Sequence, residues 1–202
     1  MTPLEEIYAQ SPDPVAYARG YLRRLTAVLA AIDPEAIARA AEVMWRAREE
    51  GRRIFFIGNG GSAATASHFA NDIGIGTRSD GPPFKALSLT DNNAVLTCLA
   101  NDLGYESVFV EQLRLHLEPG DVVVAISASG NSPNVLRAVD FARERGNATI
   151  GFTGFDGGEL RKRAQLAIHV PTERGEYGPV EDAHMVLDHL ISTYLAMRAR
   201  RR

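Results

Sequence analysis

RRIFFIGNGGSA, residues 52–63, passes from an apolar run into three glycines and then into small residues suited to a helix. IFFI is apolar at consecutive positions, so it reads as a strand covered on both faces rather than one with a wet side. Gly58, Gly60 and Gly61 let the backbone of the turn approach a ligand closely. The helix after them, which includes ATASHFAND, offers free N–H groups and the positive end of its dipole, a place that suits an anion. No Lys-Ser or Lys-Thr pair follows as in a Walker loop, and the glycines lack the spacing of a dinucleotide fingerprint, so ATP and NAD lose ground.

The same alternation continues downstream. FKALSLT, DVVVAIS, NATIGFT and QLAIHVP are apolar runs of strand length separated by amphipathic helical stretches. This predicts an α/β fold, a doubly wound parallel sheet with helices on both faces, whose ligands bind at the C-terminal ends of the strands. Upstream, residues 14–50 read as two helices, the second opened by Asp33 as N-cap with Pro34 in its first turn and closed by Gly51. Downstream, TERGEYGPV (172–180) is an irregular segment expected to border the site, and it leads into a long last helix from about Pro179. No linker, repeat or low-complexity tract divides the chain, so residues 1–202 are expected to form one domain, with 1–50 as its N-terminal helical extension.

A second strand-to-helix junction follows VVVAI: Ser127, Ala128, Ser129, Gly130, Asn131, Ser132, Pro133. Ser132 stands where a helix N-cap belongs, ahead of Pro133 at the first helical position. Any one of these serines alone would read as a turn or cap residue. Three hydroxyls at a helix N-terminus can instead bind phosphate without a lysine, which suits a small phosphorylated ligand that is held and released repeatedly.

Composition excludes several classes of partner. The 202 residues carry 22 Lys plus Arg against 25 Asp plus Glu, a formal charge of -3, so no domain-wide basic field draws nucleic acid or anionic lipid. No apolar run approaches the roughly 20 residues that cross a bilayer. A single cysteine, Cys98, forbids an internal disulfide, and the acidic start MTPLEEIYAQ is unlike a secretory signal, so a cytoplasmic protein is expected.

GNGGSA, SASGNS and NDLGYE (101–106) together resemble the sugar isomerase (SIS) domain, and within it the phosphoheptose isomerase branch, over nearly the whole chain. The resemblance implies a flavodoxin-like sheet, a homotetramer with active sites between subunits, and conversion of sedoheptulose 7-phosphate to D-glycero-D-manno-heptose 7-phosphate. It places phosphate-binding serines at Ser62, Ser127, Ser129 and Ser132, next to Gly60 and Gly61, with Asn59 and Asp102 as polar residues of the substrate pocket.

Acid, base and metal candidates lie on two distant helices. His68 and Asp72, four apart, share one helical face, and the last helix carries Glu181, Asp182, His184, Asp188 and His189. Glu181 and His189 are eight residues apart, roughly 80° around an ideal helix, whereas Asp182 and His189 are better aligned, so spacing does not choose between them. The family resemblance implies one zinc held at His68, Asp72, Glu181 and His189. Asp and Glu at these positions, where the family has Glu and Gln, make the site more anionic. Gly178–Val180 lack the family's usual Asp and Arg, which leaves room for a different sugar tail.

The chemistry implied is an enediol isomerisation with Asp72 or Glu181 as base and His189 as acid, aided by the zinc. Two other readings stand beside it: a non-catalytic SIS binding module, such as a DnaA-binding regulator or a sugar-phosphate sensor, and an isomerase of a different ketose phosphate. Ionisable residues at both Asp72 and His189 favour an enzyme.

Overall fold

The computed structural model describes residues 1–201. Five parallel strands, β1 (Arg53–Gly58), β2 (Lys85–Ser88), β3 (Val122–Ser127), β4 (Ala148–Thr153) and β5 (Leu166–His169), form one sheet in the order β2-β1-β3-β4-β5. The helices are α1 (Pro3–Ala9), α2 (Pro14–Ala30), α3 (Pro34–Glu49), α4 (Gly61–Asn71), α5 (Asn93–Leu103), α6 (Val110–His116), α7 (Pro133–Glu144), α8 (Gly158–Arg163) and α9 (Tyr177–Arg200). This is the flavodoxin-like strand order expected above.

The consecutive apolar strand residues are sorted by the pleat onto two faces. Ile54, Phe56, Val122, Val124, Ile126 and Ile150 point into a core shared with α3, α4 and α9. Phe55, Ile57, Val123 and Ala125 point the other way, against α6 and α7. That is why the central strands show no polar alternation, β3 being buried at every position, whereas the edge strand β2 alternates exposed and half-buried residues.

Order β2-β1-β3 sends the chain one way after β1 and the other way after β3, so the two adjacent strands diverge at their C-terminal ends and open a crevice there. Gly58 pairs with Ile126, so the GNGGS and SASGNS turns leave the sheet side by side.

Local signals set most boundaries. Asp33 caps α3 through the Glu35 N–H at 2.9 Å, and Gly51 takes the positive φ of +66° that ends the helix. Two boundaries differ from the sequence reading. α1 was not expected; Thr2 and Glu5 close a capping box that lets seven residues form a helix. α9 begins at Tyr177, two residues before Pro179, because Glu176 at its N-cap is fixed by partners elsewhere in the fold.

Candidate active site

Both turns end at helices whose N-cap residue makes no side-chain capping hydrogen bond; in α7 Pro133 brings no N–H and the Val135 N–H is taken by Asn134 Oδ1 at 3.0 Å. Gly60 at the N-cap of α4 has no side chain. Ser132 occupies the N-cap of α7 but, contrary to expectation, makes no capping hydrogen bond; its hydroxyl lies 3.3 Å from the Ser127 hydroxyl instead. Two helix N-termini stand side by side at the switch point, an arrangement whose dipoles and first-turn N–H groups suit an anion. The serine turn is braced from below. Ser127 Oγ accepts from the Gly130 N–H at 3.1 Å, and Ser129 Oγ accepts from the Asn131 N–H at 3.3 Å. Leu160 N–H donates to the Gly130 carbonyl at 2.8 Å, and Gly130 lies so close to Gly157 that a Cβ would sit 2.1 Å from its carbonyl oxygen. Ser62 is buried in the first turn of α4.

Asn59 links the two turns. It exchanges amide hydrogen bonds with Asn134 of α7 at 2.8 and 2.9 Å, and its Oδ1 accepts from the Tyr105 hydroxyl at 2.9 Å. Tyr105 and Asn134 had no assigned role in the sequence, although Tyr105 stands within NDLGYE. Asp102, on the last turn of α5, bonds only to its own helix, through Asn101 Nδ2 at 2.7 Å and Cys98 Sγ at 3.5 Å.

The acid and base candidates converge from α4 and α9. His68 Nε2 is 3.2 Å from His189 Nε2 and 3.5 Å from Asp72 Oδ2. At Asp72 the helix widens into a π turn over Asp72–Gly76, a local irregularity of the kind that functional positions often carry. The fourth group within reach is Asp188: one ligand atom from each of His68, Asp72, Asp188 and His189 lies within 4.8 Å of the others. Asp188 is fully buried and neither of its oxygens has a hydrogen-bond partner. Burial, and then the nearness of Asp72, pushes its carboxyl up to about 8.

Glu181 is placed elsewhere. Its carboxylate rests on Gly61 at the start of α4, where a Cβ would meet its oxygens at 2.3 and 2.5 Å, and it is not part of the His68 group. Gly61 is therefore needed for space rather than for a special φ. Glu181 thus stands at the glycine turn, whereas Asp188 and His189 of α9 meet His68 and Asp72 towards the other end of α4.

Asp188 was visible in the sequence without being assigned. Val180, His184, Asp188 and Ser192 recur at intervals of four beside the apolar row Ala183, Leu187, Ile191 and Leu195, so the polar residues share the buried stripe of α9. A donor set of two imidazoles and two carboxylates, one of them buried without a partner, suits a divalent metal.

The SIS domain pattern matches residues 16–154, more than half of the chain. A phosphoheptose isomerase from Rhodospirillum rubrum is 40% identical over 156 residues, 77% of this chain and 82% of that protein. The chain belongs to the SIS-domain family, in its phosphoheptose isomerase branch. A phosphoheptose isomerase from Mycobacterium tuberculosis is 43% identical over 145 residues, 72% of this SIS chain and 73% of the relative. The structure of phosphoheptose isomerase GmhA from Neisseria gonorrhoeae superposes with a TM-score of 0.81 at 34% identity, covering 90% of this chain and 96% of that one.

A concavity of about 650 Å³ lies at the end of the sheet opposite the SIS crevice, between α3 and the starts of β3, β4 and β5, and holds none of the site residues. Nearer the chemistry, a hollow of about 300 Å³ borders Asp72, with Ser192, Met197 and Arg200 among its walls.

Proposed function

We propose that this SIS protein isomerises sedoheptulose 7-phosphate to D-glycero-D-manno-heptose 7-phosphate. The observation that carries the reading is the convergence of His68 and Asp72 of α4 with His189 of α9, beside two uncapped helix N-termini lined with hydroxyls. Ser62, Ser127, Ser129 and Ser132, with backbone N–H groups at the starts of α4 and α7, hold the phosphate. Gly60 and Gly61 let it approach the backbone, while Asn59 and Asp102 bind sugar hydroxyls.

The reaction moves one carbon-bound proton from C1 to C2 and one hydroxyl proton from O1 to O2, so nothing is gained or lost. A carboxylate, Asp72 or Glu181, takes the C1 proton and returns it to C2 of the enediol, and His189 exchanges the proton between the oxygens. One zinc would be held by His68, Asp72 and His189 with a further carboxylate, Glu181 by family resemblance, and would polarise the carbonyl when bound. A carboxylate engaged with the metal is the weaker base, which favours dividing the two duties between different residues.

A homotetramer with sites between subunits accords with the exposed apolar surface. α5 leaves Leu103 exposed and Val95 half-buried, and α9 exposes Val186, Leu190, Tyr194 and Met197. No helix among the described residues is long and apolar enough to cross a membrane, and the single cysteine is a free, exposed thiol. We place the protein in the cytoplasm, with residues 1–50 part of the same domain as the sheet and no nucleic-acid or membrane partner.

The test is turnover of a panel of ketose phosphates with and without added zinc. Sedoheptulose 7-phosphate is the expected substrate. No turnover on any member would leave a binding module instead.

A further inference from the structure

Asp188 presents a physical problem that the catalytic reading leaves unsolved. Its relative exposure is 0%, and neither carboxylate oxygen has a partner. A buried carboxylate left without hydrogen bonds or a counter-charge is strongly unfavourable, and such groups are normally paired or bound to metal. No acceptor stands ready for a proton that Asp188 could carry, so a neutral acid would be unsatisfied as well.

The neighbouring atoms supply what is missing. An oxygen of Asp188 lies in the same 4.8 Å group as the nitrogens of His68 and His189 and an oxygen of Asp72. Two atoms bound to one tetrahedral zinc at about 2.0–2.1 Å sit roughly 3.3 Å apart. The observed 3.2 Å between the histidine nitrogens and 3.5 Å between His68 and Asp72 are of that size. Two aspartates balance a dication, so the assembled site carries no net charge and the buried carboxylate of Asp188 gains its counter-charge. Glu181 fits this set poorly, since its carboxylate is packed on Gly61 at the mouth of the glycine turn and lies outside the group.

We infer that Asp188, rather than Glu181, completes with His68, Asp72 and His189 a two-histidine, two-carboxylate site for one divalent transition-metal ion such as zinc. Glu181 is thereby left unbound at the substrate end of the cleft, free to act on the sugar. The ligand set stands on geometry; only the use made of Glu181 rests on the isomerase reading.

The experiment compares the wild type with Asp188→Leu, Asp188→Asn and Glu181→Ala. Each protein is stripped with chelator and titrated with zinc chloride against a chromophoric competitor, with bound zinc per chain measured after desalting. Leu fills the buried volume without a charge, so at least one of the two Asp188 variants is expected to fold, and its metal-free melting temperature should equal or exceed that of the wild type. The wild type should hold about one zinc per chain. The Asp188 variants should bind at least about 100-fold more weakly and lose the rise in melting temperature that zinc gives the wild type. Glu181→Ala, which removes any ligand atom at that position, should keep zinc affinity within about threefold while losing turnover of sedoheptulose 7-phosphate.

Wild-type zinc affinity in a folded Asp188 variant, a wild type that binds no zinc, or loss of zinc in Glu181→Ala would each overturn the assignment. Turnover is scored separately. Zinc held through Asp188 in a wild type that isomerises nothing would preserve this site and remove the isomerase reading. Isomerisation by a wild type whose Asp188→Leu variant still binds zinc would do the reverse.

Discussion

Two carboxylates on the same helix are equally hidden from water and oppositely treated. Glu176, at the N-cap of α9, is fully buried, takes both arms of the Arg24 guanidinium at 2.9 and 2.6 Å, and accepts from the Glu173 N–H at 2.8 Å. Burial works to raise its pKa, but Arg24 and that backbone N–H hold it below the ordinary carboxylate value. Asp188, three turns further on, has the same burial and no partner. Between them His184 is also fully buried, with Nδ1 unpartnered and Nε2 only 3.5 Å from the Thr153 carbonyl. The start of α9 is saturated and its middle is not. A satisfied buried charge fastens one helix to another, here α9 to α2, whereas an unsatisfied one beside two histidines stands ready for a ligand.

The largest effect expected from breaking this contrast is on stability. Arg24→Ala leaves Glu176 buried and unpaired, which should cost about 3 kcal/mol, or roughly 6–12 °C in melting temperature. Arg24 is one-quarter exposed, so water recovers part of its own charge but cannot reach the carboxylate. A melting temperature within 2 °C of the wild type would show that the saturated end is not a fastening.

His184 sharpens the contrast through pH. Burial lowers its pKa to about 4, against the opposing influence of the Thr153 carbonyl, while in the unfolded chain it titrates near 6.5. Between these values the unfolded chain binds the extra proton, so the stability contributed by neutral His184 is complete above about pH 6.5 and is lost as pH falls toward 4. Denaturant titrations of chelator-treated protein should register a loss approaching about 3 kcal/mol from this residue. His184→Phe should flatten that dependence by one proton; an unchanged slope would mean the imidazole is not held neutral.

Gly61→Ala tests the contact between the glycine turn and Glu181. The added Cβ displaces a flexible carboxylate rather than backbone, so kcat should fall about tenfold while the melting temperature moves by no more than about 2 °C. Smallest is Tyr105→Phe, which removes one hydrogen bond to Asn59 from a half-exposed ring and should raise KM about two- to threefold. No change in KM would detach Tyr105 from the substrate end of the cleft.

The strands were legible in the sequence because burial on both faces demands consecutive apolar residues, as in IFFI and VVVAI, and the two turns because glycine and serine clusters have few other uses. Which turns would be neighbours depended on strand order, which only the parallel pairing of β1 with β3 supplies. On α9, spacing left Glu181 and Asp182 as competitors for His189. Neither is in the cluster: Glu181 rests on Gly61, and Asp182 accepts from the Tyr21 hydroxyl at 2.6 Å. The periodicity of α9 does mark Asp188 as inward-facing, but what it faces is set by α4 and its π turn, a contact between residues more than 100 positions apart. Ser132 shows the converse limit. Its position named it a cap, yet a neighbouring hydroxyl from another element took its hydrogen bond.

The most direct test is a crystal structure of the His189→Ala variant soaked with sedoheptulose 7-phosphate. The account predicts phosphate among Ser62, Ser127, Ser129 and Ser132, at the N-termini of α4 and α7, with C1 and C2 beside Asp72 and His68. Phosphate bound elsewhere, such as the concavity under α3, or a sugar whose C1 and C2 lie away from α4 and α9, would contradict it.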